Sequence, residues 1–467
     1  MGGLCLVVDV EQISRSCCRI IETDLKIAYK VALASASMVD NVSSGMSLVE
    51  RSRSLQHFVQ ARQQRAWAPP VIIGGPSSDV ALDIRTFTLT SSVVAFLNGV
   101  HVSCIDISCA SGSIRQWDFE LDDIENVKNF QIDPGQNLLI LSEEVIVDDE
   151  TNAMVYHIRS LENGELHPRL SGGQGSIPSV EVVDSDEVAG YDFKIFQTYL
   201  LISVFNPITA GNDIVIFDWR SGNIEKDIEG PYSAAAFLNT EYVLCCRIAS
   251  EDTFTTFSLD VYALHQPLDM PILVFDYPKI QTPALAQCNI TILPDGPRPS
   301  SGYQASQRGF SADPEECIIW RMFSVFQASA ILGHIQAPNG DQSPKEVGWN
   351  DWVHYILTGT DDNIAIVFGS RLVNVQNHTV SIFDFDRVSL RCAELTESPE
   401  IPAEAAEIPW AHTITSKLIP RISTLELTTK KGRYVADVQI DENSIIIVMA
   451  LPQSEGSSRM LQILRQA

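Results

Sequence analysis

The first 67 residues carry an apolar pattern of helical period. From Ile13 onwards, apolar side chains recur at spacings of three and four residues, which places them on one face of an α-helix: Ile13, Cys17, Ile20, Ile21, Leu25, Ala28, Val31 and Ala32. Ser47 and Glu50 have the spacing of a capping box and predict the start of a second helix. Its apolar side chains are Leu48, Leu55, Phe58, Val59 and Trp67, and Pro69 and Pro70 end it. Two such helices cannot bury both faces alone, so we expect them to dock on the next domain or on a partner.

Beyond Val80 the pattern changes to short apolar runs separated by Gly, Asn, Asp and Pro, which is typical of strands and turns. The most apolar runs are predicted as inner strands: Val93–Leu97, Asn137–Leu141, Tyr199–Phe205, Tyr242–Cys246, Ile364–Phe368 and Ser444–Ala450. Runs that alternate are predicted as their outer partners: Ile114–Phe119, Met154–Ile158, Asp213–Trp219, Leu259–Leu264, Val380–Phe385 and Arg459–Leu464. The body is therefore predicted to be mainly β.

Four aromatic–Asp–aromatic triplets end extended runs and suggest a repeat. They are Trp117-Asp118-Phe119, Phe217-Asp218-Trp219, Phe275-Asp276-Tyr277 and Phe383-Asp384-Phe385. Their spacings are multiples of about 53 residues, a period typical of propeller blades. In WD-type blades a comparable dipeptide closes the third strand, although the Gly-His partner of a true WD repeat is absent here. A fifth triplet, Tyr191-Asp192-Phe193, is out of register and is predicted to open a strand.

These patterns predict a mainly β fold: a β-propeller of about seven blades, with six to eight allowed, preceded by a short two-helix segment. The predicted domains are a helical head at 1–68, a linker at 69–80 and the propeller at 81–467. A pair of β-sandwiches is the structural alternative, but it does not require a period near 53 residues. The irregular segments Pro294–Pro314 and Pro399–Pro409 are predicted as loops on the rims.

Charge adds a prediction about partners. The 467 residues contain 59 acidic and 32 basic side chains, a net charge of −27, which argues against binding to nucleic acid. The head is slightly basic, so the negative charge belongs to the β body. Between Asp118 and Glu150 there are eleven carboxylates and one basic residue, Lys128. This stretch is either a solvated acidic loop or a docking site for a basic partner.

Targeting signals and cysteines indicate an intracellular protein, cytoplasmic or nuclear. No apolar run reaches about 18 residues, so no membrane span is predicted. The start MGGLCLVVDV lacks the basic residues of a signal peptide, and Leu6 occupies the position where a myristoylation signal has Ser or Thr. The ten cysteines form no C-x-x-C motif and are expected to be reduced thiols, mostly buried.

The motifs that carry catalytic or metal chemistry are missing from the sequence. The nine histidines are scattered singly, no G-x-S-x-G is present, and Gly172-Gly173-Gln174-Gly175 lacks the lysine of a phosphate loop. Trp349 and Trp352 are interpreted as a blade anchor or, as the alternative, an exposed binding patch. The triplet aspartates are expected to accept hydrogen bonds from turn backbone. We therefore predict no enzyme activity and no catalytic, cofactor-binding or metal-binding residues, and we assign no residue to partner binding.

Once these patterns are combined, the head resembles the segment that follows the F-box in a large group of mushroom-type fungal F-box proteins. The resemblance covers about 50 residues. It rests on Asp24, Leu25, Tyr29, Lys30, Leu33, Met38, Asp40, Ser47, Glu50, Arg51, Leu55 and Trp67. Ser37 stands where the family has glycine. Only Met1–Gln12 precede the segment, so the F-box itself is largely missing from this chain.

The resemblance implies the substrate-receptor half of a Skp–cullin–RING ubiquitin ligase. In that family the F-box binds a Skp-type adaptor, and the propeller holds the client protein. The expectation for this chain is a protein-interaction module whose propeller binds a client, preferably a basic one, without cofactors. Adaptor binding is not carried over, because the F-box is truncated. Two alternatives stay open: a propeller glycan hydrolase that uses paired carboxylates, and an adaptor-free propeller scaffold.

Overall fold

The computed structural model describes parts of the chain from Thr23 to Arg465. The described residues are 23–35, 47–53, 55–56, 71–73, 86–90, 93–107, 115–146, 151–170, 176–183, 192–206, 211–250, 255–266, 270–277, 287–293, 321–327, 331–332, 334–335, 344–348, 356–360, 364–368, 371–376, 379–384, 421–427, 434–440, 444–450 and 459–465. The glycine-rich segment 172–175, Trp349, Trp352 and the two predicted rim loops lie outside them.

The described strands of the β body form six sheets. Sheet 1 holds β2 (Thr86–Thr90), β3 (Val93–Asn98), β4 (His101–Asp106) and β5 (Arg115–Glu120). Sheet 2 holds β6 (Val127–Asp133), β7 (Leu138–Ile146), β8 (Thr151–Ser160) and β9 (Ser176–Val183). Sheet 3 has eight strands: β10 (Asp192–Phe196), β11 (Tyr199–Asn206), β12 (Gly211–Asp218), β13 (Asn223–Phe237), β14 (Tyr242–Ser250), β15 (Thr255–Ala263), β16 (Leu273–Asp276) and β19 (Lys345–Val347).

The remaining sheets complete the body. Sheet 4 holds β17 (Gln287–Leu293), β18 (Arg321–Gln327) and β20 (Ile356–Thr360). Sheet 5 holds β21 (Ile364–Phe368), β22 (Arg371–Gln376), β23 (Thr379–Asp384) and β24 (Arg421–Glu426). Sheet 6 holds β25 (Tyr434–Ile440), β26 (Ser444–Ala450), β27 (Arg459–Arg465) and β1 (Val71–Ile73). Neighbouring strands pair antiparallel except for β16 with β19 and β17 with β18, which are parallel.

The innermost strands of these sheets form a closed ring, so the body is a β-propeller. Strand β2 contacts β6, β6 contacts β10, β13 contacts β17, β17 contacts β21, β21 contacts β25, and β25 returns to β2. The step from β10 to β13 is bridged by Lys194, whose Nζ donates to the carbonyl oxygen of Ala235 at 2.8 Å. Sheet 3 contains two four-stranded units that share the 15-residue strand β13, so the sheets are compatible with about seven blades.

Strand β1 closes the ring. Val71, Ile72 and Ile73 pair with Ile463, Gln462 and Leu461, so the start of the body is hydrogen-bonded to its last strand. These three residues fall within the segment 69–80 that was predicted as a linker. The sequence did not reveal the strand, because three apolar residues after two prolines are too short to show a period.

Five of the six predicted inner strands are second strands in the structure. They are β3, β7, β11, β14 and β26, and only Ile364–Phe368 is innermost, as β21. A second strand is covered on both faces by neighbouring sheets, which is why β3 and the first five residues of β7 are almost fully buried and begin as continuous apolar runs. The innermost strands β2 and β6 mix Thr, Lys, Asn and Gln with apolar residues, so their pattern is weaker.

The triplets do not mark a single structural position. Asp118 lies in β5 and Asp276 in β16, which are fourth strands, whereas Asp218 and Asp384 end the third strands β12 and β23. The predicted period therefore corresponds to blade spacing only approximately. The fifth triplet does open a strand, because β10 begins at Asp192.

The head contains α1 (Leu25–Ser35) and a second helix, α2, at 48–53 that continues through 55–56. Ser47 and Glu50 form the predicted capping box: the Ser47 N–H donates to Glu50 Oε2 at 2.8 Å, and the Glu50 N–H donates to Ser47 Oγ at 3.3 Å. No helix among the described residues has the length and apolar character needed to cross a bilayer.

The predicted apolar face of the first helix is only partly correct. Ala32 packs against the cluster of Tyr29, Leu33 and Leu55, whereas Leu25 and Val31 are exposed. Ile13, Cys17, Ile20 and Ile21 lie outside the described residues. The helix is capped at Asp24, whose Oδ1 accepts from the N–H groups of Lys26 and Ile27. The prediction took one continuous apolar stripe from Ile13, but the face that meets α2 follows the i, i+4 pair Tyr29 and Leu33 instead.

Candidate functional site

The outer edge of sheet 1 is the most acidic surface among the described residues of the first two sheets. Strand β5 pairs with β4 on one side only, and its Arg115, Gln116, Asp118 and Glu120 are exposed. Strand side chains alternate between faces, so Asp118 and Glu120 lie on one side of β5 while Trp117 and Phe119 lie on the other. The edge therefore has a charged side and an aromatic side.

The turn that follows β8 packs on the aromatic side of β5 and adds carboxylates. Trp117 donates its Nε1–H to the carbonyl oxygen of Leu161 at 2.9 Å. Gly164 lies so close to Phe119 that a Cβ at this position would be 2.6 Å from the ring, and its φ of +73° also favours glycine. Arg115 stacks on Trp117, and its guanidinium lies 3.8 Å from Glu162. These contacts place Glu162 and Glu165 beside the edge strand.

We define the acidic face as the exposed carboxylates of β5, the segment after it and this turn: Asp118, Glu120, Asp122, Asp123, Glu125, Glu162 and Glu165. Arg115 and Arg159 are the basic residues in the same segments, 115–125 and 159–165. The side chains of Asp118, Glu120 and Glu162 are each more than 60% exposed. The imidazole nitrogens of His101 lie 4.0 Å from Asp118 and from Glu120. The face is therefore strongly negative and open to solvent.

Two largely buried side chains support the face. Arg159, which is 10% exposed, donates to Asp123, and this hydrogen bond lowers the pKa of the aspartate. Glu143 lies outside the face, 2.8 Å from His157. Burial opposes ionisation of Glu143, but hydrogen bonds from the backbone of Glu125 and from His157 outweigh it and lower the pKa. Both carboxyl groups are therefore ionised at neutral pH.

The acidic stretch 118–150 is not a single solvated loop. Its residues up to Ile146 form the edge of sheet 1 and two strands of sheet 2. Asp133 is buried and caps a short 3-10 helix, where Gln136 donates to it from both its backbone and its side chain. Glu143 and Glu144 pair with His157 and Lys128. Asp148, Asp149 and Glu150 lie outside the described residues. Within this stretch, the carboxylates before Asn126 are the ones exposed to solvent.

A second cluster of charged and hydroxyl groups lies inside sheet 3. Asp260 is fully buried and accepts hydrogen bonds from Arg247 and from Ser258 Oγ, the latter at 3.1 Å. Arg247 also donates to Tyr232 at 3.3 Å, and the Tyr232 and Tyr262 hydroxyls are hydrogen-bonded to each other. Burial raises the pKa of Asp260 although Arg247 opposes this shift. Apart from Arg247 Nε, which is buried without a hydrogen-bond partner, these polar groups bond to one another, and we interpret the cluster as part of the packing between the two units of sheet 3.

The sequence did not single out Arg247 or Asp260. They occupy alternate positions of β14 and β15, where polar residues are expected on an exposed face. Sequence alone therefore treats them as surface residues. The burial of Asp260 follows from the way one unit of sheet 3 covers the other: Tyr232, Tyr262 and Cys245 pack with Phe196 and Ile214 in one core.

Other residues that the sequence raised have structural roles. Asp218 accepts from the Arg220 N–H at 2.8 Å, as predicted for the triplet aspartates. Asp118 contacts His101 instead, and the side chain of Asp384 lies outside the described residues. Cys104, Cys245 and Cys246 are free and buried, as expected. In the part of the chain that the structure describes, no three His, Cys, Asp or Glu side chains are grouped as metal ligands would be.

The class of protein that these sheets define is the β-propeller. No protein-family model matches the chain, and no curated protein matches it. Solved structures that are similar to it include the β-propeller domain of the Trilobed protease from Pyrococcus furiosus, with 11% identity over 82% of this chain and 98% of that chain and a TM-score of 0.34.

Two further similar structures have different roles. The α-L-arabinofuranosidase Arb93A from Fusarium graminearum has 9% identity over 86% of this chain and 98% of that chain, with a TM-score of 0.33. The Nup133 β-propeller domain from Vanderwaltozyma polyspora has 8% identity over 85% of this chain and 97% of that chain, with a TM-score of 0.29. At this level of similarity, no function is transferred from any of them.

Proposed function

We propose that this propeller is a non-enzymatic receptor that binds a basic segment of a client protein at the acidic face. The observation that carries the proposal is the concentration of seven carboxylates on β5, the segment after it and the turn 161–165, against two arginines. Such a surface attracts a positively charged partner and accelerates their association. The hydrogen bond from Arg159 lowers the pKa of Asp123, and Glu143 accepts from the Glu125 N–H, so the segment between sheets 1 and 2 is held in place at both residues.

The rigidity of the face also supports a binding role. The turn that carries Glu162 and Glu165 is held by the hydrogen bond from Trp117 and by the close approach of Gly164 to Phe119. A rigid surface loses little conformational entropy when a partner binds. The mechanism would be positioning of the client, with no chemical step on the propeller.

A finer proposal concerns the cellular role. The resemblance of the head to F-box proteins supports a function as the client-holding part of a Skp–cullin–RING ubiquitin ligase. Under this proposal the helices α1 and α2 join the propeller to an F-box. A pull-down with a fungal Skp adaptor tests it: we expect the adaptor to bind the protein when it is extended with an F-box ahead of α1. Failure of the extended protein to bind the adaptor would overturn the ligase role but not the binding role.

The binding role is tested by reversing charge on the acidic face. The probe is a fluorescein-labelled lysine- and arginine-rich peptide, followed by fluorescence anisotropy. The variant Asp118→Lys/Glu120→Lys is compared with Glu225→Lys/Glu229→Lys, which makes the same change in net charge at exposed positions of β13. We expect the first variant to lower the affinity at least tenfold and the second to change it less than threefold. An equal loss in both variants would mean that only net charge matters, which contradicts the proposal.

A further inference from the structure

The outer edge of β16 is occupied by a segment from a distant part of the chain. Strand β19 pairs in parallel with β16, with Leu273, Val274 and Phe275 opposite Lys345, Glu346 and Val347. The Lys345 N–H also donates to the carbonyl oxygen of Ile272 at 3.2 Å. We call β19 the strap. It lies in the chain between β18 and β20 of sheet 4, yet it extends sheet 3.

Two side chains hold the strap: Val347 packs in a pocket, and Lys345 Nζ donates to the carbonyl oxygen of His334 at 3.4 Å. Val347 is 3% exposed and packs in an apolar cluster with Leu273, Phe275 and Ile331. Phe275 is in turn contacted edge-on by His334, with ring centroids 5.5 Å apart. Lys345 and Glu346 are exposed, so the apolar contact of the strap with this cluster comes from Val347. The edge of β16 thus combines backbone pairing with a pocket for one apolar side chain.

The pairing of the strap with this edge is short, and its charge is a poor match. The strap pairs with three of the four residues of β16. Glu346 stands opposite Val274. Asp276 lies two residues after Val274 and therefore on the same face of β16. Burial and the charge of Glu346 both raise the pKa of Asp276, so two like charges are held near each other. A lysine or arginine at the position of Glu346 would replace this repulsion with attraction.

We propose that the edge of β16 is an acceptor site for an extended segment of a partner protein, and that the strap occupies this site in its absence. The partner segment runs parallel to β16. It carries Val or Ile at the position of Val347, to fill the pocket, and Lys or Arg immediately before it, to pair with Asp276. This mode of recognition is β-strand addition, in which the backbone supplies affinity and alternate side chains supply specificity. The site is separate from the acidic face and does not depend on it.

The test uses the full chain and labelled peptides. The first peptide has the sequence of residues 342–350, and the second has Glu346→Lys in the same sequence. The variant Val347→Asp removes the apolar side chain that packs the strap against β16. Its control, Val145→Asp, places the same side chain at a valine of β7 that is already 38% exposed. We expect Val347→Asp to bind both peptides at least tenfold more tightly than the wild-type protein and Val145→Asp do. The lysine peptide should bind more tightly than the first peptide, and high salt should remove this difference.

A disulfide across the strap gives an independent test that does not rely on Val347→Asp being folded. Val274 and Glu346 are directly opposite, so Val274→Cys/Glu346→Cys can form a disulfide that locks the strap on β16. We expect the oxidised protein not to bind the lysine peptide and the reduced protein to bind it. Equal binding by the oxidised and reduced forms would overturn the proposal. So would equal affinity of the wild-type protein and a Val347→Asp variant whose circular dichroism is unchanged.

Peptide binding at the edge of β16 can be distinguished from peptide binding at the acidic face. When Asp118→Lys/Glu120→Lys is added to the Val347→Asp protein, its affinity for the lysine peptide should not change, because β5 and β16 lie in different sheets. Loss of that binding would mean that the peptide binds at the acidic face, which contradicts the acceptor site.

Discussion

The indole of Trp117 donates a hydrogen bond to the carbonyl oxygen of Leu161, at 2.9 Å and across 44 residues of sequence. The bond joins the edge strand of sheet 1 to the turn after β8 in sheet 2. It also brings the carboxylates of β5 next to Glu162, whose Oε1 contacts Arg115. The aromatic side of β5 is therefore what holds the acidic face together.

Replacing Trp117 with Phe should reduce stability modestly. The variant keeps a ring but removes the donor to Leu161, and loss of one such hydrogen bond costs about 1 kcal/mol of unfolding free energy. Urea unfolding of the Trp117→Phe and wild-type proteins measures this difference. Trp219→Phe is the comparison, because Trp219 is fully buried and donates to the carbonyl oxygen of Gln197 at 2.8 Å. It should cost more, about 2–3 kcal/mol, because a cavity is added to the lost bond. A Trp117→Phe variant as stable as the wild-type protein would contradict the structural role of the bond.

Removing Arg247 should make stability depend more steeply on pH. The substitution Arg247→Ala leaves the buried Asp260 without its guanidinium partner, and because that guanidinium is itself 40% exposed, the cost at neutral pH should be about 1–3 kcal/mol, below that of breaking a fully buried pair. The pKa of Asp260 is already raised by burial in the folded protein. The folded state therefore holds this proton at pH values where the unfolded state has lost it, and stability falls as the pH rises from about 4 through the raised pKa. Without Arg247 that fall should be larger and extend to higher pH.

The measurement for this variant is urea unfolding at several pH values between 4 and 8. The control is the double variant Arg247→Met/Asp260→Leu, which removes both charges and should lose most of the pH dependence that Arg247→Ala gains. If the unfolding free energies of Arg247→Ala and the wild-type protein changed with pH in parallel, Asp260 would not be the group that causes the pH dependence.

His167 should make the protein less stable in mild acid. The imidazole is 3% exposed, its Nδ1 accepts from the Arg169 N–H at 3.2 Å, and its Nε2 lies 3.0 Å from the carbonyl oxygen of Gln136. This arrangement suits the neutral ring with its proton on Nε2. Burial, with smaller contributions from Arg169 and Arg220, lowers the pKa of His167. The unfolded chain therefore binds a proton first, and stability falls as the pH drops below about 6.5 until the folded ring also protonates.

Unfolding of the wild-type and His167→Gln proteins between pH 5 and 8 tests this assignment. The variant should lose stability at pH 8, because Trp219 packs edge-on against the imidazole at 5.0 Å, but it should show a smaller decline towards pH 5. His265→Gln, at an exposed position, serves as the control and should retain the wild-type decline. An unchanged decline in His167→Gln would assign the acid sensitivity to another group.

The class of fold could be predicted from the sequence because it depends on local patterns. Short apolar runs with turn residues between them specify strands, and their regular spacing specifies blades. The place of each strand within a blade could not be predicted. Burial on both faces makes second strands such as β3 the most apolar, so apolarity marks the middle of a blade and not its inner rim.

The candidate site was less predictable, because its contacts join residues far apart in the chain. The acidic stretch was visible, but Arg159, which pairs with Asp123, lies 36 residues away. The same limit applies to the strap: Val347 meets Phe275 only after the chain has passed through sheet 4. The capping box of Ser47 and Glu50 was predictable in detail for the opposite reason, since all of its atoms lie within four residues.

Closure of the ring by β1 should contribute to the stability of the whole propeller. Successive N–H groups of a strand point to opposite sides, so in Val71→Pro/Ile72→Pro one of the two prolines must remove a donor that faces β27. Loss of the pairing exposes the edge of β27 and opens the ring between the first and last strands. We expect a loss of at least about 1 kcal/mol, the typical net contribution of one hydrogen bond. Thermal and urea unfolding measure it, and Val71→Thr/Ile72→Thr is the matched control because threonine keeps both the N–H group and the strand preference. If the proline and threonine variants unfolded at the same urea concentration, β1 would not be closing the ring in solution.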